Sequence, residues 1–230
     1  MVVGDEGYIA LSDGLLSGDA LDFEVQATPT SADLWAVSGE CTKNGELLAT
    51  VVGDGVLLLG TGTPEAGYEW FEPTPPSGGW GRLRDVGPMR DHTCAIGDAG
   101  RVVCSANHSL WEPVELDTSA DLTSLCRPGG GLYFAVGEAG TLVTGLEPNA
   151  LSASALEPAV DLVACSMQAP HDPAFVGAER RVYVFDAELE LRVSAELDWQ
   201  PRALDPQEGR FLAGDQGRVG TLVLTGAWLQ

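Results

Sequence analysis

A short pattern recurs six times along the chain, and it constrains the fold more than any other feature. Two apolar residues lead into Gly, an acidic residue, a spacer and a second Gly, and an apolar-rich run follows. The copies are Val2-Val3-Gly4-Asp5-Glu6-Gly7, the shorter Val51-Val52-Gly53-Asp54-Gly55, Ala95-Ile96-Gly97-Asp98-Ala99-Gly100 and Ala135-Val136-Gly137-Glu138-Ala139-Gly140. A degraded copy, Phe175-Val176-Gly177-Ala178-Glu179-Arg180, and a last one, Leu212-Ala213-Gly214-Asp215-Gln216-Gly217, complete the series. Their first glycines fall at 4, 53, 97, 137, 177 and 214. Self-similarity at such a period means that one supersecondary unit is used again and again.

Each copy reads as a tight hairpin. Gly supplies positive φ, and Asp is expected to bond its own backbone. The flanks are β-branched or apolar, as strands require. A further strand precedes each hairpin, at 34–37, 83–86, 122–126, 162–165 and 202–204. Another follows, at 21–27, 69–71, 111–116, 153–156 and 191–197. Four short strands per repeat of about forty residues is the pattern of a β-propeller blade. The expected fold is therefore all-β, a single β-propeller domain over 1–230 with six blades of four short antiparallel strands. The blades cover roughly 1–30, 31–76, 77–118, 119–159, 160–198 and 199–230. The first copy begins at its second strand, so ring closure by strand exchange between the termini competes with a seven-bladed ring completed by further sequence. The Ala-rich stretch Asn149 to Val160 is the one place where a short helix competes, although Pro148 and Pro158 bracket it.

Composition narrows the partners. The chain has 230 residues, 44% of them hydrophobic, which is enough for a substantial core. It carries 34 acidic residues against 12 basic ones, a formal charge of −22. That balance repels phosphate backbones and anionic membranes, so nucleic acid and membrane insertion are not expected. The longest apolar runs, such as Val56-Leu57-Leu58-Leu59, are far too short to span a bilayer. Residues 1–20 hold four acids and no base, unlike a secretory leader. A complete chain would then be cytoplasmic, and an excised domain would leave the compartment open.

Two stretches bear a family resemblance. His92-Thr93-Cys94-Ala95-Ile96, then Gly100-Arg101-Val102-Val103-Cys104-Ser105-Ala106-Asn107, resembles the blade motif of the regulator-of-chromosome-condensation family, with Ser105 and Ala106 in place of that family's Trp-Gly. The hairpins at Val3 to Ile9 and Ala135 to Leu142 are similar to propellers of the photosystem-II assembly-factor type. Both resemblances imply a propeller that binds another macromolecule, and the second implies a non-catalytic scaffold. Neither transfers a functional residue.

The chemistry-bearing residues are few. Cys94 and Cys104 flank one hairpin, a placement compatible with their lying opposite each other across two strands, as a disulfide of an oxidising compartment or as two buried thiols. Cys126 and Cys165 fall on innermost strands of neighbouring blades, where the separation is expected to be too wide for easy bridging. Cys41 completes an odd count, and no Cys-x-x-Cys pair suggests zinc. His92, His108 and His171 lack convergent partners for catalysis or metal binding. Gly129-Gly130-Gly131 precedes no helix and is not a phosphate cradle. One carboxylate per turn, from Asp5, Asp54, Asp98, Glu138 and Asp215, is too few for calcium. No cofactor is implied.

Arg82, Arg84 and Arg90 cluster on an otherwise acidic chain, either to read an acidic partner or to pair with local carboxylates. Trp70, Trp111 and Trp228 share a phase within the repeat and are expected to pack blades together. Trp35, Trp80 and Trp199 sit near the starts of innermost strands, where an exposed indole would stack a sugar or anchor a protein partner, although packing between blades is the expected role for most of them. The functional expectation is a monomeric, non-enzymatic scaffold for a protein partner. A glycan-binding propeller is the alternative, and a glycosidase or lyase on the same fold is the third reading.

Overall fold

The structure is a computed structural model that describes residues 1–12, 23–42, 45–63, 65–126, 133–157, 159–168, 172–177, 180–185, 191–204, 211–214 and 219–221. Gly129–Gly131, His171, Ala178, Glu179, Trp228 and the sixth turn at 215–217 lie outside the described residues, as does the side chain of Cys41.

Two compact units divide the chain, Met1–Glu115 and Leu116–Gln230. Three sheets make the first. One is β1 (Val2–Val3), β2 (Ile9–Leu11) and β3 (Glu24–Gln26). Next is β4 (Leu34–Cys41), β5 (Leu47–Gly53), β6 (Leu57–Thr63) and β7 (Gly67–Phe71). The third is β8 (Leu83–Met89), β9 (His92–Gly97), β10 (Val102–Ser105) and β11 (Glu112–Val114).

The second unit repeats the plan. Its sheets are β12 (Leu122–Cys126), β13 (Tyr133–Gly137), β14 (Thr141–Gly145) and β15 (Ser152–Ala155), then β16 (Leu162–Gln168), β17 (Asp172–Gly177), β18 (Arg181–Phe185) and β19 (Leu191–Glu196). The described part of the last is β20 (Pro201–Leu204), β21 (Phe211–Gly214) and β22 (Val219–Thr221). Every sheet is an antiparallel meander in sequence order. The helical alternative for Asn149–Val160 is overturned: Ser152–Ala155 pairs with β14 as an outer strand.

The turn differs from its expected chemistry in an instructive way. The first glycine of the motif is extended, with φ −169 at Gly4, −172 at Gly97 and −165 at Gly137. Its requirement is space. A Cβ on Gly53, Gly97 or Gly137 would stand 2.1, 1.9 or 2.1 Å from the carbonyl oxygen of Asp33, Arg82 or Asp121, the residue just before the innermost strand of the same sheet. The left-handed positions are the spacer and the second glycine. Glu6, Ala99 and Ala139 have φ 55, 55 and 52, and Gly7, Gly100 and Gly140 have φ 75, 70 and 71. Two successive left-handed residues match the twist of a strand pair, which is why the pattern closes a hairpin.

Backbone hydrogen bonds tie each turn in two directions. The amide of the acidic residue bonds back to its own sheet, Asp54 N–H to the Asp33 carbonyl at 2.9 Å and Glu138 N–H to the Asp121 carbonyl at 3.0 Å. The amide of the second glycine bonds forward to the next repeat, Gly7 to the Ala32 carbonyl at 2.8 Å and Gly140 to the Val160 carbonyl at 2.7 Å. Neighbouring sheets are thereby fastened at one end without using side chains.

Packing holds the rest. In the first unit, Val51 and Leu58 join Ile9, Leu34 and Trp70 on one side of the second sheet, while Val52, Leu57 and Leu59 join Leu83, Ala95 and Trp111 on the other. Both faces of that sheet are buried, so the strands read as continuous apolar runs rather than as an alternation. Each fully buried Leu of this kind contributes about 1.5–3 kcal/mol relative to exposure. In the second unit, Cys126, Val136, Leu142, Leu162, Cys165 and Tyr183 form one core and Ala164, Val182, Val184 and Leu204 another.

Two cysteine pairs stand at bonding distance. Cys94 and Cys104 are directly opposite across β9 and β10, with Cα atoms 4.1 Å apart. Cys126 and Cys165 are also paired, which corrects the expectation that neighbouring innermost strands lie too far apart. Their Cα atoms are 5.5 Å apart. Bridged disulfides span about 4.4–6.8 Å. The strands converge this closely because β12 and β16 abut along the shared core.

Two outcomes follow for stability. Gly137→Ala should destabilise the second unit by more than 3 kcal/mol, since backbone must move, whereas Gly55→Ala, with φ +74 and open space around it, should cost about 1 kcal/mol. Urea titration of the two variants reads the contrast. The paired change Cys126→Ser and Cys165→Ser, which opens a link between residues 39 apart, should remove about 2–4 kcal/mol more under oxidising conditions than under reducing ones, where only the burial of two hydroxyls is felt.

Candidate functional site

The innermost strands share an irregularity that positions side chains at their turn end. Each carries one extra residue at its start, between Leu34 and Ala36, Leu83 and Asp85, Leu122 and Ser124, Leu162 and Ala164, and Pro201 and Ala203. The extra residues are Trp35, Arg84, Thr123, Val163 and Arg202. A bulge re-aims a side chain away from the regular ladder. In the second unit Thr123 uses this freedom to tie sheets together, its hydroxyl donating to the Val136 or the Leu162 carbonyl, at 3.0 and 2.5 Å.

In the first unit the bulge presents Trp35, and 53% of this indole-bearing residue faces solvent. The strand start below it is rigid. Leu34 N–H donates to the Gly4 carbonyl at 3.1 Å, and Glu6 N–H donates to Asp33 Oδ1 at 3.1 Å. Asp33 is thus a latch onto the preceding turn. Asp161 does the same for the turn at Ala139, whose N–H lies 2.9 Å from Asp161 Oδ1. The sequence reading missed these latches, although an Asp-Leu pair opens an innermost strand at 33–34, 121–122 and 161–162.

The arginines do not form one site. Arg82 Nη2 lies 3.3 Å from Asp54 Oδ2 and its Nε lies 4.0 Å from Asp98 Oδ2. Arg84 also pairs with Asp98. These partly exposed pairs are each worth about 0–1 kcal/mol, and they occupy both guanidinium groups at the turn end. Arg90 sits apart, exposed at the β8–β9 turn with φ 53, at the far end of a seven-residue strand.

The three candidate tryptophans also separate. Trp80 is not an exposed anchor, which corrects that expectation. It is 2% exposed, stands edge-on to Trp111 with ring centroids 6.1 Å apart, and donates its indole N–H to Glu72 Oε1 at 3.0 Å. The apolar space between the second and third sheets captures it. Trp199 is half-buried against Ala164, Val182, Val184 and Leu204. Trp70 and Trp111 are buried, as blade-packing residues should be. Trp70 fits because Gly60, its cross-strand partner, leaves room for the ring.

His92 is half-buried at the start of β9. His108 lies nearer a polar neighbour, with its Nδ1 3.4 Å from the hydroxyl of buried Thr50. Burial lowers its pKa below 6.5, and the charge of Glu40 opposes that effect. Among the described residues no group of three His, Cys, Asp or Glu side chains could hold a metal ion, and no helix is long and apolar enough to cross a membrane.

No protein-family model matches the chain, and no curated protein matches it. Solved structures do. Virginiamycin B lyase from Staphylococcus aureus superposes with a TM-score of 0.71 at 10% identity, over 96% of this chain and 79% of that one. YCF48 bound to a D1 peptide superposes with a TM-score of 0.67 at 15% identity, over 94% of this chain and 71% of that one. Both are β-propellers, and at such identities the likeness concerns the fold alone. With its succession of antiparallel four-stranded sheets, the chain has the β-propeller fold.

The His108 environment yields a pH signature. A lowered pKa in the folded state means that the unfolded chain takes up the proton first. The resulting stability is present above pH 6.5 and is lost as pH falls below it, levelling off beneath the folded-state pKa. The difference in melting temperature between wild type and His108→Asn should therefore change between pH 7.5 and 5.5, with wild type losing more. Asn tolerates the φ of 59 at this position.

Proposed function

We propose that this chain is a non-enzymatic scaffold that binds a protein partner at the turn end of its first unit, with Trp35 as the anchor. The exposure of Trp35 carries the reading: an indole held on a bulge of a rigid strand start, with 53% of the residue in solvent. Tryptophan is the residue most enriched among those that dominate interface energetics, and a fixed backbone lowers the ordering cost of binding. Arg82 and Arg84 support the site by holding the neighbouring turns through Asp54 and Asp98.

Other observations agree with this reading. A structurally similar propeller is bound to a peptide, which is support by analogy of fold. The tryptophans that repeat in phase, Trp70 and Trp111, are buried, so they offer no repeated stacking platform for sugars. The likeness to a lyase keeps catalysis among the outcomes of the test. A charge of −22 opposes self-association and favours a monomer. Two cysteine pairs at bonding distance favour an oxidising, extracytoplasmic compartment.

Selection of peptides from a random display library on the wild-type protein, with counter-selection on Trp35→Ala, tests the proposal. Selected peptides should lose about 30-fold in affinity on Trp35→Ala by calorimetry, as loss of an anchor of about 2 kcal/mol requires. Peptides that bind both proteins equally would overturn it. So would binding confined to a glycan array, or turnover of an added substrate that survives Trp35→Ala.

A further inference from the structure

We infer that the segment received at Trp35 is cationic, so that a Lys or Arg side chain of the partner lies against the indole. This inference rests on the reading above and adds the chemistry of the partner. The arginines of this surface would suggest an acidic partner if they stood alone, yet Arg82 and Arg84 are already engaged by Asp54 and Asp98. On the other side of the strand start that carries Trp35, the turn at 4–7 holds exposed Asp5 and Glu6 and no basic residue.

The backbone bonds locate the turn that adjoins the strand start carrying Trp35. Leu34 N–H binds the Gly4 carbonyl, and Gly4 N–H binds the Tyr8 carbonyl at 2.9 Å. Two such steps correspond to about 10 Å, the width of two strand spacings. Tyr8 is 43% exposed and follows the turn that carries exposed Asp5 and Glu6. Asp33, two residues before Trp35, is fixed onto that turn through Glu6 N–H. Two exposed aromatic residues and three carboxylates thus flank one strand start, and among the described residues no basic side chain belongs to this turn.

The long-range field has the same sign. Residues 1–115 contain 18 acidic and 5 basic side chains, a net charge of 5 − 18 = −13. Such a field raises the encounter rate of positive segments and repels negative ones. At contact, a cation over the face of Trp gains from the ring quadrupole, and adjacent carboxylates add to that attraction. A polar rim of this kind around an aromatic centre is the usual anatomy of a recognition surface.

The test uses two capped nonapeptides of Ser and Gly, one with two Arg and two Lys and one with Glu at the same four positions. The probe is the indole N–H signal of Trp35 in a nitrogen-15 correlation spectrum, identified by its absence in Trp35→Phe. The basic peptide should shift this signal, bind about tenfold more weakly to Trp35→Ala, and bind about two- to threefold more weakly to Glu6→Gln. Its affinity should fall as salt rises from 0.05 to 0.5 M, as screened charge pairs do. Equal shifts from the Glu peptide, no shift from either peptide, or unchanged affinity on Trp35→Ala would each overturn the inference. If display-selected peptides of neutral or acidic sequence still depend on Trp35, the binding function stands and only the cationic preference fails.

Discussion

At three of the described turns a carbonyl oxygen occupies the place where a side chain would begin. The oxygens of Asp33, Arg82 and Asp121 lie within 2.1 Å of the Cβ that Gly53, Gly97 and Gly137 lack. This contact brings the hairpin turn down onto the start of the innermost strand of its own sheet. It also leaves the amide of the acidic residue facing that same carbonyl. With the turn in this place the second glycine bonds forward to the following repeat, as Gly55 and Gly140 do, and Gly7 makes the same bond in the first turn. At these three turns a steric demand thus sets where the hairpin lies, and side-chain packing completes what the backbone begins.

That division of labour explains why the sequence tolerates so much variation between repeats. Backbone bonds place no condition on side chains except at the glycines. The apolar faces need volume more than identity, as in the second sheet, where both sides are covered. Val51 and Val52, adjacent in sequence, serve different cores. The repeats can then diverge in their outer strands and in the bulge residue without disturbing the ladder. Trp35, Arg84, Thr123 and Val163 show how far that freedom goes: one is exposed, one forms an ion pair, one ties two sheets and one packs beside a core.

The fold was largely legible in the sequence because glycine spacing is a direct trace of the turn. The strand β12 falls on Leu122–Cys126 as its apolar pattern suggests, and most other strands differ only at their ends. Less legible were features that depend on neighbours distant in sequence. The Cys126–Cys165 pair needs two innermost strands to converge, and no local pattern encodes that approach. Trp80 looks like Trp35 in sequence, each lying close to an innermost-strand start. A linker residue three positions before β8 has room to turn inward toward Trp111, whereas a bulge residue within β4 does not. The spacer residues at Glu6, Ala99 and Ala139 carry positive φ that their identities do not advertise.

The shortened second turn shows how a local change is absorbed and why it bears on the site. At two of the turns that have a spacer, an Asp before the next innermost strand caps the spacer amide, as Asp33 caps Glu6 and Asp161 caps Ala139. The turn at Gly53-Asp54-Gly55 has no spacer, and its glycine amide is already bonded to the Gly81 carbonyl at 3.0 Å. An Asp at position 82 would then meet the Asp54 carboxylate across a short gap, and two like charges there would repel. Arg82 reverses the sign and reaches Asp54 instead. The cation at this position thus answers a structural need set by one missing residue. It pairs with the carboxylate of its own turn, whereas the neighbouring turn at 4–7 carries Asp5 and Glu6 with no basic residue of its own.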